Sequence, residues 1–250
     1  MPKVEVVKDY KELSEHVAYL IKTQLDRKHD ATFLLPTGGT FLGAYDIISH
    51  ARPGTYDFSE ATIFNLDERL GTPPTDPHSF QRYMRKNLID QINVKPENVH
   101  LMDGSVMSPE RNDAYCKAFD RMLGERGVDY CWLGIGGEGH IGYNEAGSPF
   151  GSTTRVVDFS PRTIEDMLAE YDNDASRIPT KGRTVGIRNI LASREPTLAA
   201  SKGKASAVYM ALKCKPDRSC PASALQTHEN ALFIIDEAAA SELLVSAAPS

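Results

Sequence analysis

Apolar residues in the first part of the chain recur every three or four positions. The residues that set this spacing are Tyr10, Leu13, Val17, Leu20, Ile21 and Leu25. An apolar stripe at helical spacing predicts an amphipathic helix over residues 10–25. A short apolar run follows at residues 31–35, then a turn with paired glycines, then a second helical pattern at residues 41–48. The order strand, glycine turn, helix is typical of an α/β protein.

The same cycle repeats along the rest of the chain. Short apolar runs predict strands at residues 31–35, 61–66, 99–102, 130–135, 184–187, 197–200 and 232–235. Helical patterns predict helices at residues 10–25, 41–48, 79–92, 110–123, 161–171 and 204–212. The apolar runs are continuous and lack period-two alternation, which is typical of strands in a parallel sheet that is covered on both faces. The sequence therefore predicts an α/β fold with a mostly parallel sheet between helices.

No internal repeat, low-complexity tract or linker divides the 250 residues, so we expect a single domain over residues 1–250. The least regular stretch covers residues 147–181, where a predicted helix lies among polar loops. Irregular segments of this size in α/β enzymes are often lids, and a passive surface excursion is the alternative.

The chain is mildly acidic, with a formal net charge of -6 at pH 7. Proteins that bind nucleic acids or membrane surfaces usually present a basic face to phosphates, so neither partner is expected. Residues 1–15 alternate charged and apolar positions and lack the pattern of a signal peptide. No run approaches the roughly 20 apolar residues that cross a bilayer. We therefore expect a soluble, cytoplasmic protein.

The cysteines lie at positions 116, 131, 214 and 220, and they form no CxxC pair. This spacing favours free thiols in a reducing compartment. A Cys214–Cys220 disulfide and a zinc site are the alternatives, although nothing in the spacing requires either.

The first candidate site is the turn Pro36-Thr37-Gly38-Gly39-Thr40, directly after a predicted strand. Doubly wound sheets bind ligands at such strand ends. Paired glycines let the backbone approach an anion closely, and the next helix offers free N–H groups at the positive end of its dipole. The turn therefore fits a phosphate group, although it has neither the Walker pattern nor the dinucleotide fingerprint. A plain tight turn is the alternative.

The second candidate site is Asn65-Leu66-Asp67-Glu68-Arg69, which also follows a strand. Two adjacent carboxylates beside an arginine are commonly a solvated loop end with a salt bridge. At the carboxyl end of a strand, however, one carboxylate can point into the ligand crevice and serve as a general base.

The third candidate site is a glycine-rich loop at residues 134–145, in which His140 lies between Glu138 and Glu145. A carboxylate beside a histidine can fix its tautomer and raise its proton affinity. This arrangement suits proton transfer to a sugar ring oxygen. A metal site is the alternative, but two carboxylates and a single histidine make a poor zinc set.

A fourth feature is Lys204, which opens a predicted helix after the strand at residues 197–200. A cation at a helix N-terminus is unfavourable unless an anion lies there. We therefore expect Lys204 to help hold the same phosphate as the threonine-glycine turn, with a merely exposed lysine as the alternative.

Four motifs in this order resemble the glucosamine-6-phosphate deaminase (isomerase) family. They are Leu35-Pro36-Thr37-Gly38-Gly39-Thr40, Phe64-Asn65-Leu66-Asp67-Glu68, Gly139-His140-Ile141-Gly142-Tyr143-Asn144-Glu145 and Gly203-Lys204-Ala205. The resemblance covers nearly the whole chain. It implies a Rossmann-like three-layer α/β/α sandwich and conversion of glucosamine 6-phosphate to fructose 6-phosphate and ammonia. It also implies a small sugar-phosphate substrate, no metal or organic cofactor, and assembly that ranges from monomer to homo-oligomer.

The resemblance assigns catalytic roles by motif position. His140 would open the pyranose ring, with Glu145 as its orienting partner and Glu138 as a further carboxylate beside it. Asp67 would move a proton between C2 and C1. These roles agree with the chemistry, because aldose–ketose isomerisation needs one base that reaches two adjacent carbons and an acid at the oxygen.

The resemblance also assigns binding roles. The phosphate would be held by Thr37, Gly38, Gly39, Thr40 and Lys204. Weaker contacts to substrate are expected from Glu68, Gly136 and Gly137.

Two departures from the family pattern stand out. Glu138 replaces an aspartate, and its extra methylene shifts the carboxylate. Ala169 lies where the family has a second arginine for the phosphate. The possible substitutes are Arg162, Arg177, Lys181 and Arg183.

Three alternative functions remain at this stage. The stretches at residues 183–195 and 221–223 also resemble galactosamine-6-phosphate deaminases. A 6-phosphogluconolactonase shares the fold, but that family typically follows its histidine with a Thr-Ala-Ser-Leu-Phe type of sequence that this chain lacks. A non-catalytic sugar-phosphate-binding relative is the third alternative, and the regulators of that kind carry a DNA-binding helix-turn-helix for which we see no room before the first predicted strand.

Overall fold

The central sheet is parallel throughout and seven-stranded within residues 2–245, which are the residues that the computed structural model describes. Its strands are β1 (Lys3–Val7), β2 (Thr32–Leu35), β3 (Thr62–Asn65), β5 (Val99–His100), β6 (Tyr130–Leu133), β9 (Glu195–Ala200) and β10 (Leu232–Asp236). Their spatial order is β1-β10-β9-β6-β2-β3-β5. From β2 the chain proceeds outward through β3 to β5, and from β6 it proceeds the other way through β9 to β10. The order therefore reverses between β2 and β6, which is where such sheets bind ligands.

A second, antiparallel sheet has the order β4-β8-β7. Its strands are β4 (Asp67–Arg69), β7 (Arg155–Asp158) and β8 (Lys181–Thr184). Because β4 follows β3 after a single residue, this small sheet begins at the carboxyl edge of the large one.

Helices cover both faces of the large sheet. They are α1 (Tyr10–Arg27), α2 (Gly39–Ser49), α3 (Phe80–Asn87), α4 (Pro109–Arg126), α5 (Pro161–Met167), α6 (Ile187–Leu191), α7 (Ala205–Lys213) and α8 (Glu237–Val245). Short 3-10 turns lie at Ile89–Gln91, Pro96–Asn98, Leu168–Tyr171, Ala175–Arg177 and Pro221–Thr227. The three-layer α/β arrangement expected from the sequence is confirmed.

The core is split by the sheet because successive strand side chains point to opposite faces. Phe33 packs with Trp132 beneath α1 and α2, whereas Leu34 packs with Leu133 beneath α4 and α7. All four side chains are fully buried. Burial of one such side chain contributes about 1.5–3 kcal/mol, so these two layers hold the strand ends in place.

The predicted strand at residues 184–187 is wrong. The strand β8 ends at Thr184, and α6 begins at Ile187. Val185 and Ile187 are fully buried, so the apolar run reflects burial at the passage from strand to helix and not an extended segment. The sequence also missed β1, β4 and β7, since none of them is a continuous apolar run.

The structure also bears on three smaller predictions, which concern the cysteines, membrane-spanning helices and the bounds of the domain. All four cysteines are free, with Cys214 exposed and the other three buried. Between residues 2 and 245, no helix combines the length and the apolar character needed to cross a membrane. The predicted domain over residues 1–250 includes residue 1 and residues 246–250, which lie outside the described residues.

Candidate active site

The carboxyl ends of β2, β3, β6 and β9 surround a cavity of about 570 Å³. The turns after these strands supply most of its wall. Of the residues singled out in the sequence, the cavity is lined by Thr37, Gly38, Gly39, Thr40, Asp67, Gly136, His140 and Lys204. Segments far apart in the chain therefore converge at the switch point of the sheet.

The threonine-glycine turn joins the buried strand β2 to α2. Gly38 is the N-cap of α2 and has φ 103°, a conformation that favours glycine over every other residue. Gly38 provides no capping side chain. Because the first N–H groups of a helix have no internal partner, those of Gly39 and Thr40 are available to an anion.

Asp67 is a buried acidic group in the wall of the cavity, and only 6% of its surface is exposed. The preceding Asn65 fixes the backbone here, since its side-chain amide donates to Asp67 O at 2.7 Å and its side-chain oxygen accepts from Met102 N at 2.8 Å. Burial raises the pKa of Asp67 to about 7, and the nearby charge of Glu68 adds to this shift while Arg69 opposes it. A carboxyl group with a pKa near neutrality is well placed to act as a general base.

His140 lies on the glycine-rich loop that follows β6. The loop is closed by hydrogen bonds from Gly136 N to His140 O (2.9 Å) and from Gly139 N to Gly136 O (3.0 Å). The imidazole lies directly against Gly136, where a Cβ atom would be 1.9–2.3 Å from three ring atoms. Burial lowers the pKa of His140; Glu145 opposes this effect and Lys204 adds to it. The ring is therefore neutral near pH 7, with one nitrogen to donate a proton and one to accept.

Glu145 is not hydrogen-bonded to the imidazole, in contrast to the expected orienting contact. Its carboxylate accepts from Ser160 N (3.0 Å) and from the hydroxyl of Thr163, both at the start of α5. Glu138 is exposed on the loop. Among the described residues, neither glutamate forms a hydrogen bond with His140, so their influence on the ring is electrostatic.

A smaller cavity of about 220 Å³ adjoins the main one at His140. It is lined by Gly137, Glu138 and Glu145, and it shares His140, Thr163 and Asp166 with the main cavity. Of the expected site residues, Gly137, Glu138 and Glu145 therefore line the smaller cavity and not the main one.

Glu68 has a structural position, so the expected contact with substrate is not supported. Its side chain is fully buried and lies outside the cavity lining. Its carboxylate oxygens accept hydrogen bonds from five donors, which are the N–H groups of Arg69, Phe80 and Gln81 and the hydroxyls of Thr72 and Ser79. Glu68 thus ties β4 to the first turn of α3.

The cations at the cavity are Lys202, Lys204 and Arg69. Lys204 is the N-cap of α7, as the sequence indicated. Arg69 is buried and engaged, since it donates to Glu170 at 2.7 Å and to the Tyr143 hydroxyl at 3.2 Å. Lys202 lies on the same turn as Lys204. It is therefore more available than Arg69 as a second cation, beside Lys204, for a bound anion.

None of the four basic residues considered as substitutes for the missing arginine lines the cavity. Three form surface ion pairs, namely Arg162 with Glu165 and Asp166, Arg177 with Asp172, and Lys181 with Asp158. Arg183 is fully buried and donates to Asp103 O, Ser105 O and the Asn112 side chain.

Sequence reasoning missed the wall of the cavity that α5 and the following 3-10 turn provide. The side chains involved are Thr163, Asp166, Met167 and Glu170. Their spacing of three, four and seven positions is a helical stripe that could have indicated a common face. Tyr10 and Phe80 were missed as well. Arg69, Tyr143 and Lys202 lie within or next to the predicted site segments, but sequence reasoning assigned them no role of their own.

Comparisons with known proteins agree with this geometry. The matching family is described as glucosamine-6-phosphate isomerases/6-phosphogluconolactonase, and the match covers residues 8–234. Glucosamine-6-phosphate deaminase 2 of Giardia intestinalis is 39% identical over 231 residues, which cover 91% of this chain and 86% of that protein. Glucosamine-6-phosphate deaminase of Clostridium acetobutylicum is 36% identical over 244 residues, which cover 96% of this chain and 100% of that protein.

Two solved structures define the likeness in three dimensions. A monomeric glucosamine-6-phosphate deaminase matches with a TM-score of 0.89 and 35% identity, covering 96% of this chain and 99% of that one. The 6-phosphogluconolactonase from Trypanosoma brucei matches with a TM-score of 0.76 and 18% identity, covering 97% of this chain and 99% of that one. At 18% identity the second match shows a common fold alone.

Proposed function

This chain belongs to the glucosamine-6-phosphate isomerase/6-phosphogluconolactonase family, and from that premise we propose that it converts glucosamine 6-phosphate and water into fructose 6-phosphate and ammonia. The observation that carries the proposal is the convergence of an anion-binding turn, a carboxyl group with a raised pKa and a neutral imidazole in one cavity. The likeness to deaminases at 35–39% identity favours this reaction over lactone hydrolysis.

The phosphate end of the substrate binds at the turn of Thr37–Thr40. The N–H groups at the start of α2 and the two threonine hydroxyls donate to its oxygens, and Lys204 and Lys202 supply positive charge. A dianion bound there fixes the sugar at a point remote from the reacting carbons. This contact orients the substrate, and such orientation can lower the activation free energy by several kcal/mol.

His140 handles the ring-opening protons. A neutral imidazole can accept the proton of the C1 hydroxyl and deliver one to the ring oxygen as the bond between C1 and that oxygen breaks. Glu145 and Glu138 stabilise the transient positive charge through space. The product of this step is the open-chain aldehyde.

Asp67 then moves a proton from C2 to C1. Its ionised carboxylate takes the C2 proton while the aldehyde oxygen on C1 gains a proton that the 2-amino group gives up, which forms an enolamine. The resulting acid then returns its proton to C1, which leaves a C2 imine. Water adds to C2 and ammonia leaves, so that atoms balance between substrate plus water and the two products. We propose that neither a metal nor an organic cofactor takes part.

The test of this function is ammonia release by the purified protein with glucosamine 6-phosphate, compared with galactosamine 6-phosphate and with hydrolysis of 6-phosphogluconolactone. We expect ammonia from glucosamine 6-phosphate and no lactone hydrolysis. Faster release from the galactosamine substrate would reassign the epimer. Lactone hydrolysis without ammonia, or no turnover of any substrate, would overturn the proposal.

We predict that Lys204→Ala raises KM for the sugar phosphate about tenfold and lowers kcat less. The physical reason is that Lys204 contacts the unreactive phosphate equally in the ground state and the transition state. The matched control is Lys213→Ala, an exposed lysine at the other end of α7. An unchanged KM in Lys204→Ala would remove this residue from the phosphate site.

We predict that kcat/KM rises as the pH increases through about 7. Only the ionised form of Asp67 can accept the C2 proton, and burial raises the pKa of this group to about 7. The Kd of fructose 6-phosphate over the same range separates this effect from ionisation of the phosphate near pH 6. A flat kcat/KM from pH 5.5 to 8.5 would show that a group with an ordinary carboxyl pKa is the base.

Three further features are proposals of the same kind. We propose that the segment 147–181 serves as a lid, because its residues Thr163, Asp166, Met167 and Glu170 form one cavity wall. A cytoplasmic location is proposed from the sequence pattern and the free cysteines. The homo-oligomer allowed by the resemblance stays a prediction, and analytical ultracentrifugation tests it.

A further inference from the structure

Three tyrosine hydroxyls donate hydrogen bonds to backbone carbonyls of the threonine-glycine turn. The bonds join Tyr45 to Pro36 O (2.7 Å), Tyr83 to Gly38 O (2.8 Å) and Tyr10 to Gly39 O (2.7 Å). The three phenols come from three different helices, α2, α3 and α1. Three separate elements therefore hold one short turn by its carbonyl oxygens.

The orientation of these carbonyls determines where the N–H groups point. In a trans peptide unit, the C=O of one residue and the N–H of the next point in opposite directions. The three tyrosine contacts therefore turn the N–H groups of Thr37, Gly39 and Thr40 away from the phenols. These are amides of the turn that lines the cavity.

The turn needs such support because its central residues are both glycine. Gly38 and Gly39 have no Cβ, and an added Cβ at either position would meet nothing within 4 Å. Packing of side chains therefore does not hold these two peptide units in place. Phe41 N also donates to Gly38 O, at the longer distance of 3.3 Å. Without the shorter tyrosine bonds, a glycine peptide can rotate more freely and present its carbonyl oxygen to the cavity, where it would repel a phosphate.

Tyr10 has a second contact that links α1 to α2. Its hydroxyl accepts a hydrogen bond from Gly43 N at 2.9 Å while it donates to Gly39 O. The close approach depends on Gly43, where a Cβ atom would be 2.3 Å from the hydroxyl oxygen of Ser14. Burial, together with the neighbouring Tyr10 hydroxyl, raises the pKa of Tyr83, so its hydroxyl remains a donor at neutral pH.

We propose that Tyr83 and Tyr10 are positioning residues that hold the amides of the threonine-glycine turn toward a bound phosphate group. The inference rests on the proposed function in that the turn is the phosphate site. It goes further by assigning affinity for the phosphate to two phenols that act through the backbone. Tyr45, which is fully buried, adds the third contact through its bond to Pro36 O.

The test uses Tyr83→Phe, Tyr10→Phe and the control Tyr19→Phe in the full chain. Tyr19 is 61% exposed, and no residue in the described range 2–245 forms a hydrogen bond with its hydroxyl. We expect the first two variants to raise both KM for the sugar phosphate and Kd for inorganic phosphate about 3- to 10-fold, with kcat within about twofold of wild type. The control is expected to match wild type. Calorimetric titration gives Kd, and thermal unfolding checks that the variants fold.

The results separate this inference from the proposed function. If Tyr83→Phe and Tyr10→Phe bind inorganic phosphate as tightly as wild type, the inference fails even when ammonia release is normal. The inference also fails if the variants lose kcat and thermal stability without a change in Kd, since that result indicates a merely structural role. If wild type releases no ammonia but the two variants still weaken phosphate binding relative to Tyr19→Phe, the function fails and the inference stands.

Discussion

Asp67→Asn is expected to lower kcat for ammonia release by about 10²- to 10⁴-fold while the protein becomes more stable at pH 8. The loss of turnover follows because an amide cannot accept the C2 proton, and general-base contributions are of this size. Binding of fructose 6-phosphate should change little, because the phosphate contacts are remote from Asp67. Steady-state kinetics and calorimetric titration measure the two effects.

The gain in stability follows from the pKa of the same carboxyl group. Its usual pKa is 3.8, and the folded protein raises it to about 7. Ionisation of Asp67 is therefore less favourable in the folded state than in the unfolded state. The loss of folding stability that results is absent below pH 3.8, grows as the pH rises and is complete above pH 7. The substitution Asp67→Asn removes this loss of folding stability, whose upper bound is about 4 kcal/mol. The increase in Tm should accordingly be larger at pH 8 than at pH 5.

Glu68→Gln is the matched control, since it neutralises the adjacent buried carboxylate. Five donors point at the oxygens of Glu68, and a glutamine amide would direct N–H groups at some of them. Burial raises the pKa of Glu68 as well, so neutralisation removes some ionisation cost here too. We still expect Glu68→Gln to lose about 2–3 kcal/mol of stability, because the buried donors left without an acceptor outweigh that gain. Near-normal turnover in Asp67→Asn would end the proposed role of Asp67, and a lower Tm at pH 8 would contradict its raised pKa.

The contrast between Asp67 and Glu68 shows where sequence reasoning reached its limit. The residue pattern located the pair at the end of a strand but left open which carboxylate faces the cavity, and only the family resemblance assigned the proton transfer to Asp67. The pair lies in β4, a three-residue strand with no apolar run to reveal it. Because successive strand residues point to opposite faces, Asp67 and Arg69 line the cavity while Glu68 points away.

The parts of the site that were predictable depend on buried strands. The strands β2 and β6 are fully buried apolar runs, so the turns that follow them could be placed at one edge of a parallel sheet. The wall contributed by α5 was not predictable in the same way. It depends on tertiary contacts such as Arg69 with Glu170, which are 101 positions apart.

Gly136→Ala is expected to lower kcat by about 100-fold or more in a protein that still folds. The new Cβ would lie 1.9 Å from Cε1, 2.1 Å from Nε2 and 2.3 Å from Nδ1 of His140, so the imidazole must move. Gly136 does not have a positive φ, so alanine at this position avoids the left-handed conformation that disfavours side chains. A displacement of about 1 Å at a reacting group can cost 10²-fold in rate.

Gly137→Ala separates a displaced imidazole from a general disturbance of the loop. The two glycines are adjacent, but an added Cβ at Gly137 meets nothing within 4 Å and that residue lies outside the main cavity. We expect Gly137→Ala to keep most of the wild-type kcat, and both variants to keep wild-type Kd for inorganic phosphate because the phosphate turn lies elsewhere. Equal losses in the two variants would show that the loop as a whole, and not the place of the His140 ring, limits turnover. Full activity in Gly136→Ala would mean that ring opening does not depend on the imidazole where it lies against this glycine.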